Sequence, residues 1–236
     1  MSILFECKDL RKNYGKNQAL KGLNLQIESG QIVGLLGPNG SGKTTLIKLA
    51  NGLLTKNGGE LYIDGKEVGV ETKKIVSYLP ERTYLDVHSK VKDVIEFFKD
   101  FYSDFEENRA YDMLSKLNIN PNDKLKTMSK GTREKVQLIL VMSRQAKLYF
   151  LDEPIGGVDP AARDYIMGTI INNYADDATV VISTHLIADI ERVLDEVIFL
   201  KDGRIVRHET VDELKAQEGK SVDEVFREEF RMGEAR

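Results

Sequence analysis

The stretch "QIVGLLGPNGSGKTTLIKLA" (residues 31–50) decides the fold of this chain. Its first part, "QIVGLLG" (31–37), is a nearly continuous apolar run, which is typical of a strand buried on both faces. "GPNGSGKTT" (37–45) follows at once and matches the spacing G-x-x-x-x-G-K-S/T. A helical apolar pattern begins directly behind it. This order of strand, glycine-rich loop and helix predicts a phosphate-binding site at a helix N-terminus.

The residue types of the loop suit a nucleoside triphosphate. Its glycines let backbone N–H groups curl around phosphates, Lys43 can reach the β- and γ-phosphates, and the Thr44 hydroxyl can ligate Mg²⁺. The alternative is a glycine-rich turn with an accidental Lys-Thr pair, which the flanking strand and helix disfavour. The candidate phosphate-binding residues are Gly37, Asn39, Gly40, Ser41, Gly42, Lys43, Thr44 and Thr45.

Two further buried-strand patterns end in polar residues. "LYFLDEP" (148–154) presents Asp152 as a candidate metal ligand and Glu153 as a candidate general base. Taken alone, the two acids also fit a solvated pair of loop carboxylates. "VVISTH" (180–185) ends in His185, which can hydrogen-bond a γ-phosphate but also fits a helix-capping or loop histidine.

The composition of the chain narrows the function classes. Its 236 residues fit one large domain or a domain with a sub-lobe, and a formal net charge of −4 argues against a nucleic-acid partner. The single cysteine, Cys7, cannot form an intramolecular disulfide and favours a reducing compartment. No secretory signal is expected, and no apolar run approaches the roughly 18 residues of a membrane helix. We therefore expect a chain that does not span a bilayer but can dock onto a protein that does.

The rest of the sequence predicts an α/β arrangement. Strands are expected at "LFECKDL" (4–10), "LNLQIES" (23–29), "GELYIDG" (59–65) and "IVSYL" (75–79), and a hairpin is expected around Asp202-Gly203. Between the strand expected at 75–79 and the strand pattern at 148–154, helical periodicity predicts a helical lobe at approximately 85–147. Two short helices are expected at 210–232. Capping boxes open them, one of Thr210 with Glu213 and one of Ser221 with Glu224.

The motifs occur in a specific order along the chain: the phosphate loop, the helical block, "SKG" (129–131), "LDE" (151–153) and "STH" (183–185). In this order the sequence resembles the nucleotide-binding subunits of ABC transporters, over essentially the whole chain. The resemblance implies a P-loop NTPase core, with a mixed sheet, an N-terminal antiparallel β subdomain and an inserted helical lobe. It also implies that residues 1–236 form a single ATP-binding domain.

Further residues acquire roles only through this resemblance. Tyr14 matches the aromatic residue that stacks on adenine, and "YLPERTYL" (78–85) matches the Q-loop, with Glu81 where the family usually has glutamine. Glu81 thereby becomes a candidate metal ligand beside Thr44 and Asp152. "GGVDP" (156–160) matches the D-loop, in which Asp159 crosses to a second subunit. By itself, Asp159-Pro160 is an ordinary helix start.

"MSKGTREKVQ" (128–137) lies at the signature position, where the family usually has Leu-Ser-Gly-Gly-Gln. Met128, Ser129 and Gly131 fit this pattern, whereas Lys130 and Thr132 depart from it. The residues alone predict a helix capped by Ser129, with a glycine in its first turn that is hard to explain. The resemblance implies that Ser129 and Gly131 close over the γ-phosphate of an ATP held by a second subunit. Lys130 either adds a charge to that nucleotide or points to solvent.

The expected function is that of an ATPase motor that uses ATP and Mg²⁺. Two such subunits, identical or different, dimerise around two ATPs and drive a separate integral membrane permease at the cytoplasmic face of the cell membrane. Pro80-Glu81, the "SKG" signature and the lack of a regulatory C-terminal domain resemble ATPases paired with exporters of drugs or peptides. The alternatives are a regulator that does not act in transport and a catalytically weak subunit of a heteromeric transporter.

Overall fold

Two β-sheets organise the chain in the computed structural model, which describes residues 2–156, 160–174 and 177–231. Within these residues an antiparallel sheet has the order β2-β1-β4-β5, and a second sheet has the order β10-β9-β3-β8-β7-β6. The strands are β1 (Ile3–Tyr14), β2 (Asn17–Glu28), β3 (Ile32–Leu36), β4 (Gly58–Ile63), β5 (Lys66–Glu67), β6 (Val76–Leu79), β7 (Leu148–Asp152), β8 (Thr179–Thr184), β9 (Glu196–Lys201) and β10 (Arg204–Thr210). The predicted mixed sheet and N-terminal antiparallel sheet are confirmed.

Helices connect and cover these strands. They are α1 (Lys43–Ala50), α2 (Val70–Ile75), α3 (Val91–Phe101), α4 (Glu107–Lys116), α5 (Lys130–Met142), α6 (Pro160–Asn172), α7 (Ile187–Ile190), α8 (Val211–Glu218) and α9 (Val222–Arg231). None of the helices in the described ranges is both long and apolar enough to cross a membrane.

β3 lies inside the second sheet and positions the site. It pairs in parallel with β8 on one side and β9 on the other, and its five residues are all buried. β7 pairs in parallel with β8, with Asp152 opposite Ser183. Because parallel strands present their carboxyl ends at one edge of a sheet, the phosphate loop, Asp152 and His185 converge there.

The turn of the β9–β10 hairpin is hydrogen-bonded to the phosphate loop. The Gly203 N–H donates to the Ser41 carbonyl at 2.9 Å, and the Gly203 carbonyl accepts from the Lys21 N–H at 2.8 Å. A turn of the last hairpin therefore joins the phosphate loop to β2. The hairpin predicted around Asp202-Gly203 is confirmed by the pairing of Lys201 with Arg204.

α3, α4 and α5 follow one another between β6 and β7, and each buries one apolar face. Arg144, just after α5, is buried and anchors this segment, because its guanidinium binds both oxygens of Asp104 and the Val76 and Lys74 carbonyls. The description of this segment as a separate lobe at approximately 85–147 within one domain stays a prediction.

Some local elements form as predicted, and others differ in length or were not predicted. Both predicted capping boxes form, at the starts of α8 and α9. β1 and β2 are longer than expected, because they continue to each other across a tight hairpin. α2, α7 and β5 were not predicted, since segments of two to six residues carry too little periodicity to be recognised.

Candidate active site

Glycines allow the phosphate loop to pack where side chains do not fit. A Cβ atom at Gly37 would lie 2.3 Å from the Leu200 carbonyl oxygen, and one at Gly42 would lie 2.8 Å from the Ala19 carbonyl oxygen. Gly42 also has φ 114°, in the left-handed region, immediately before α1 begins. The loop therefore wraps around the N-terminus of α1, where backbone N–H groups favour an anion.

Lys43 lies buried at the centre of the loop. Its ammonium donates to the Gly37 carbonyl at 2.7 Å and the Pro38 carbonyl at 3.3 Å, and lies 3.7 Å from Glu153 Oε1. Burial lowers the pKa of Lys43, while the carboxylates of Glu153 and Asp152 act in the opposite direction. The Lys43 ammonium is thus held inside the phosphate loop, between two of its carbonyl groups and the Glu153 carboxylate.

Asp152 is buried at the carboxyl end of β7. Its Oδ1 accepts from the Thr44 hydroxyl at 3.2 Å and from the Ser183 hydroxyl at 2.5 Å. Its Oδ2 is buried and has no hydrogen-bond partner in the described part of the chain. Burial raises the pKa of Asp152, which is offset by the hydrogen bonds from Ser183 and Thr44.

This arrangement fits a divalent cation brought in with a nucleotide. Asp152 Oδ2 is a free carboxylate acceptor, and the Thr44 hydroxyl lies beside the same carboxylate. No cluster of three histidine, cysteine, aspartate or glutamate side chains suited to a metal occurs among the described residues. Mg²⁺ does not need one, because it binds one or two protein groups together with phosphate oxygens and water.

Glu153 has a constrained conformation next to Asp152. Its φ is 52°, which is uncommon for a residue other than glycine, and its N–H donates to the Ser183 carbonyl at 2.9 Å. Its side chain is only 12% exposed and lies between Lys43 and the His185 ring, with Oε2 3.1 Å from Nδ1. In this conformation the Glu153 carboxylate faces the phosphate loop.

A cavity of about 460 Å³ joins these groups to the antiparallel sheet. Tyr14, exposed at the end of β1, lines it together with Glu81, Glu153 and Asp202. Residues Asn39, Gly40, Ser41, Gly42, Lys43, Thr44 and Thr45 complete its phosphate-loop wall. Glu81 is exposed, and its negative charge acts on both Lys43 and Asp152. Tyr14, Glu81 and the phosphate loop therefore line one cavity, and their roles toward adenine and metal stay predictions.

The signature residues lie apart from this cavity. Ser129 caps α5 as predicted, because its hydroxyl accepts from the Thr132 N–H at 3.1 Å. A Cβ atom at Gly131 would have no described atom within 4 Å. Nothing in the described part of the chain therefore requires a glycine there. Lys130 is 77% exposed, and its ammonium lies 3.7 Å from Glu134.

Lys130 also lines a second groove, of about 600 Å³, on the side of the site that faces α5. Glu81, Glu153 and His185 line the same groove. Asp159, which was predicted to cross to a second subunit or to cap α6, lies outside the described residues.

Two residues near the site were not singled out from the sequence. Ser183 belongs to the "STH" motif, but its contact with Asp152 depends on strand register. The Tyr78 hydroxyl is buried and has no hydrogen-bond partner among the described residues. Burial raises the pKa of Tyr78, and the charges of Asp152 and Glu81 raise it further. Tyr78 was not predicted because a tyrosine in a strand before a loop is common, and no sequence pattern marks it as a residue near the site.

Comparisons with known proteins agree with this geometry. The family model described as "ABC transporter" matches residues 20–156. The ABC transporter ATP-binding protein YtrB of Bacillus subtilis (strain 168) is 30% identical over 218 residues, covering 91% of this chain and 74% of the relative. The daunorubicin resistance ATP-binding protein DrrA3 of Streptomyces coeruleorubidus is 28% identical, covering 95% and 74%.

A solved structure is similar to the whole fold. The structure described as an ATP-binding subunit of an ABC transporter superimposes with a TM-score of 0.86 at 30% identity. The match covers 95% of this chain and 98% of that one.

Proposed function

This chain belongs to the ABC transporter family as an ATP-binding subunit, and on that premise we propose that it hydrolyses ATP to drive a separate membrane permease. The observation that carries the proposal is the placement of Glu153. Its carboxylate lies between Lys43 and His185, one residue from the buried Asp152, on the wall of the nucleotide cavity. A base, a cation and a metal-binding carboxylate around one phosphate loop are the parts that phosphoryl transfer to water requires.

In this proposal the adenine ring of ATP binds at one end of the cavity and its phosphates bind at the other. Tyr14 stacks on the adenine ring, which is worth roughly 1–3 kcal/mol per base and reads little base identity. The backbone N–H groups of residues 39–45 and the Lys43 ammonium bind the phosphates. Lys43 now donates to two loop carbonyls, so its ammonium is already aimed at the loop interior before the nucleotide arrives.

Thr44, Asp152 and Glu81 are the residues proposed to hold Mg²⁺. When bound, Mg²⁺ neutralises charge on the β- and γ-phosphate oxygens. The buried Asp152 Oδ2 supplies the free carboxylate oxygen, and Ser183 fixes the other oxygen of the same group. Glu81 brings a formal negative charge where the family usually has a neutral glutamine, so this metal site is more anionic than one that contains glutamine.

Glu153 is the proposed general base that accepts a proton from the attacking water. In the nucleotide-free chain its carboxylate is 3.7 Å from Lys43 and 3.1 Å from His185. A γ-phosphate competes for Lys43, which frees one side of Glu153 to face water. His185 keeps the carboxylate oriented and donates toward the γ-phosphate.

We also propose that two such subunits, identical or different, enclose two ATPs. Gly131 supports this, because it sits in the first turn of a capped helix and no described neighbour requires a glycine there. A backbone without a Cβ lets the α5 N-terminus and Ser129 approach a phosphate on the second subunit. Asp159 is proposed to cross the same interface.

The permease is proposed to dock near α3. Phe97 and Phe101 on this helix are 60% and 69% exposed, and their rings stack with centroids 5.8 Å apart. Tyr84 and Val87, also exposed, lie on the segment that runs from Glu81 to α3. Exposed apolar groups joined through a short segment to the nucleotide cavity suit a partner that must sense ATP. Such docking places the chain at the cytoplasmic face of the cell membrane.

An exporter of drugs or peptides is the proposed kind of transporter. The similarity to a daunorubicin resistance protein supports this assignment, and so do Pro80-Glu81 and the "SKG" signature. A second candidate function is a subunit that binds ATP but turns it over weakly. The departures at Lys130, Thr132 and Glu81 favour that candidate, while Glu153 and His185 favour turnover.

Glu153→Gln tests the proposed function. We expect this variant to bind ATP with unchanged affinity, to form a stable ATP-dependent dimer, and to lose turnover by about 10²–10⁴-fold because the general base is removed. Phosphate release, ATP binding and sedimentation of the purified chain measure these three properties. Glu60→Gln, an exposed change on β4, is the matched control.

Turnover by Glu153→Gln at the wild-type rate would remove Glu153 from the role of base. A wild-type chain that binds ATP but releases no phosphate, alone or with its permease, would favour the weak-subunit function instead.

A further inference from the structure

Tyr78 lies on the same face of the sheet as Asp152. β6 pairs in parallel with β7, and Tyr78 is opposite Phe150, two residues before Asp152. Side chains alternate along a strand, so Tyr78, Phe150 and Asp152 point to one side. That side is the one covered by α1, because Phe150 belongs to the same apolar cluster as Leu46, and Tyr78 packs against that cluster.

Two unpartnered polar atoms therefore point toward the same region of the site. The Tyr78 hydroxyl and Asp152 Oδ2 are both buried, and neither has a hydrogen-bond partner among the described residues. Such atoms are rare, because leaving a buried donor or acceptor unpaired is destabilising. The negative charges of Asp152 and Glu81 both act on the Tyr78 hydroxyl, so these groups lie within electrostatic reach.

A phenol complements this region chemically. Its O–H is a neutral donor, whereas Asp152 and Glu81 are acceptors when ionised. The two hydrogen bonds to Asp152 described above, from Thr44 and Ser183, both reach Oδ1 and leave Oδ2 without a contact of its own among the described residues. A carboxylate that holds a metal is normally fixed by further hydrogen bonds around it, and removing them weakens metal affinity.

We propose that Tyr78 is a positioning residue for the divalent cation: its hydroxyl donates to a water molecule that in turn donates to Asp152 Oδ2. This contact fixes the carboxylate in the orientation that the cation requires. The proposal rests on the proposed function, because it concerns the cation that enters with ATP. It assigns a role to a strand residue that lies outside the phosphate loop and the signature.

Tyr78→Phe tests the proposal, because it removes one oxygen and keeps the ring packed. Mn²⁺ replaces Mg²⁺ as the probe, and electron paramagnetic resonance follows its binding with a non-hydrolysable ATP analogue. We expect the variant to bind Mn²⁺ about tenfold more weakly and to change the spectrum of the bound ion. We expect its nucleotide affinity in EDTA and its melting temperature without ligands to match the wild type.

Tyr62→Phe is the matched control. Tyr62 lies on β4, where carboxylates of Glu60 and Glu67 also act on its hydroxyl, but it does not line the nucleotide cavity. We expect its Mn²⁺ affinity and spectrum to be those of the wild type.

Three results would overturn the inference. Equal Mn²⁺ affinities and spectra for Tyr78→Phe and wild type would show that the hydroxyl does not position the cation. A lower melting temperature with unchanged Mn²⁺ binding would assign Tyr78 a purely structural role. If the wild-type chain failed to bind Mn²⁺ with the nucleotide, the proposed function would fail as well, which separates that result from the other two.

Discussion

Asp152 and Glu153 show at the scale of single residues how a functional site opposes stability. Asp152 is a buried carboxylate, one oxygen of which has no hydrogen-bond partner among the described residues, and Glu153 adopts a backbone conformation that glycine adopts more readily. Both features are unfavourable in a chain that holds no nucleotide. Both become useful when a cation and a phosphate arrive, because the charge and its direction are already in place.

The buried charge gives a prediction for Asp152→Asn. Burial raises the pKa of Asp152 above its ordinary value of 3.8. The Asp152 carboxylate therefore binds a proton more readily in the folded chain than in the unfolded chain. The nucleotide-free chain therefore loses stability as pH rises through the raised pKa. We expect Asp152→Asn to melt at a higher temperature than wild type at pH 8, with a difference that shrinks as the pH is lowered.

Thermal melts without nucleotide or metal at several pH values measure this effect. Asp112→Asn, an exposed change on α4, controls for the general loss of a negative charge. An Asp152→Asn variant that melts below wild type at pH 8 would contradict the prediction. It would show that the hydrogen bonds of the ionised carboxylate outweigh its desolvation.

The sequence predicted many of the residues that line the candidate site, for a physical reason. Lys43, Thr44, Asp152 and Glu153 stand directly after buried strands or inside a glycine-rich loop, and such positions are recognisable from one chain segment. Ser183 and Tyr78 are different. Their proximity to Asp152 comes from the pairing of β7 with β8 and with β6, so no local pattern could point to them.

At the scale of elements, α5 carries a glycine that its own packing does not explain. Gly131 is the second residue of the helix, and a glycine inside a helix is destabilising by roughly 0.5–1 kcal/mol relative to alanine. A Cβ atom there would contact nothing in the described chain. None of the residues that the structure describes therefore requires a glycine at position 131.

Gly131→Ala tests whether the proposed second nucleotide requires this glycine. We expect the isolated chain to be as stable as wild type or slightly more stable, since alanine favours the helix. We expect turnover and ATP-dependent dimerisation to fall on the order of 10- to 100-fold, since the methyl group displaces the second nucleotide. Melting temperature, phosphate release and sedimentation give the three quantities.

Gly168→Ala is the matched control, because Gly168 is also helical and a Cβ atom there has room, with Asn172 Nδ2 4.0 Å away. Unchanged turnover in Gly131→Ala would rule out a phosphate near this turn.

Lys130→Ala in the same assays tests whether the neighbouring lysine contacts the second nucleotide. A loss of dimerisation places its charge on the second nucleotide, and no change makes it a surface residue paired with Glu134.

At the scale of the whole molecule, the exposed rings of Phe97 and Phe101 need an explanation. They lie on α3 beside its buried face, which is formed by Val91, Val94, Ile95 and Phe98. Exposed aromatic pairs of this kind are expected at protein–protein interfaces. The helix that carries them follows the segment that contains Glu81, which is the connection through which the proposed permease would sense the nucleotide.

The double change Phe97→Ser with Phe101→Ser tests this surface. We expect melting temperature and ATP affinity to stay close to wild type, because exposed side chains contribute little to stability. We expect the chain to be lost from the membrane fraction of cells that produce the permease. Val70→Ser is the control, because Val70 is 75% exposed but lies on α2. Retention of the double variant in the membrane fraction would move the docking surface elsewhere.

The sequence by itself determined the α/β class, the phosphate loop, the adjacent acids and the family resemblance. These features follow from local composition, because burial and turn chemistry act over a few residues. Only the tertiary structure decided that Ser183 holds Asp152, that Lys43 and His185 flank Glu153, and that the Asp202-Gly203 turn braces the phosphate loop. These contacts join residues between 31 and 162 positions apart, and their partners are fixed by strand order and register, which a single sequence does not specify.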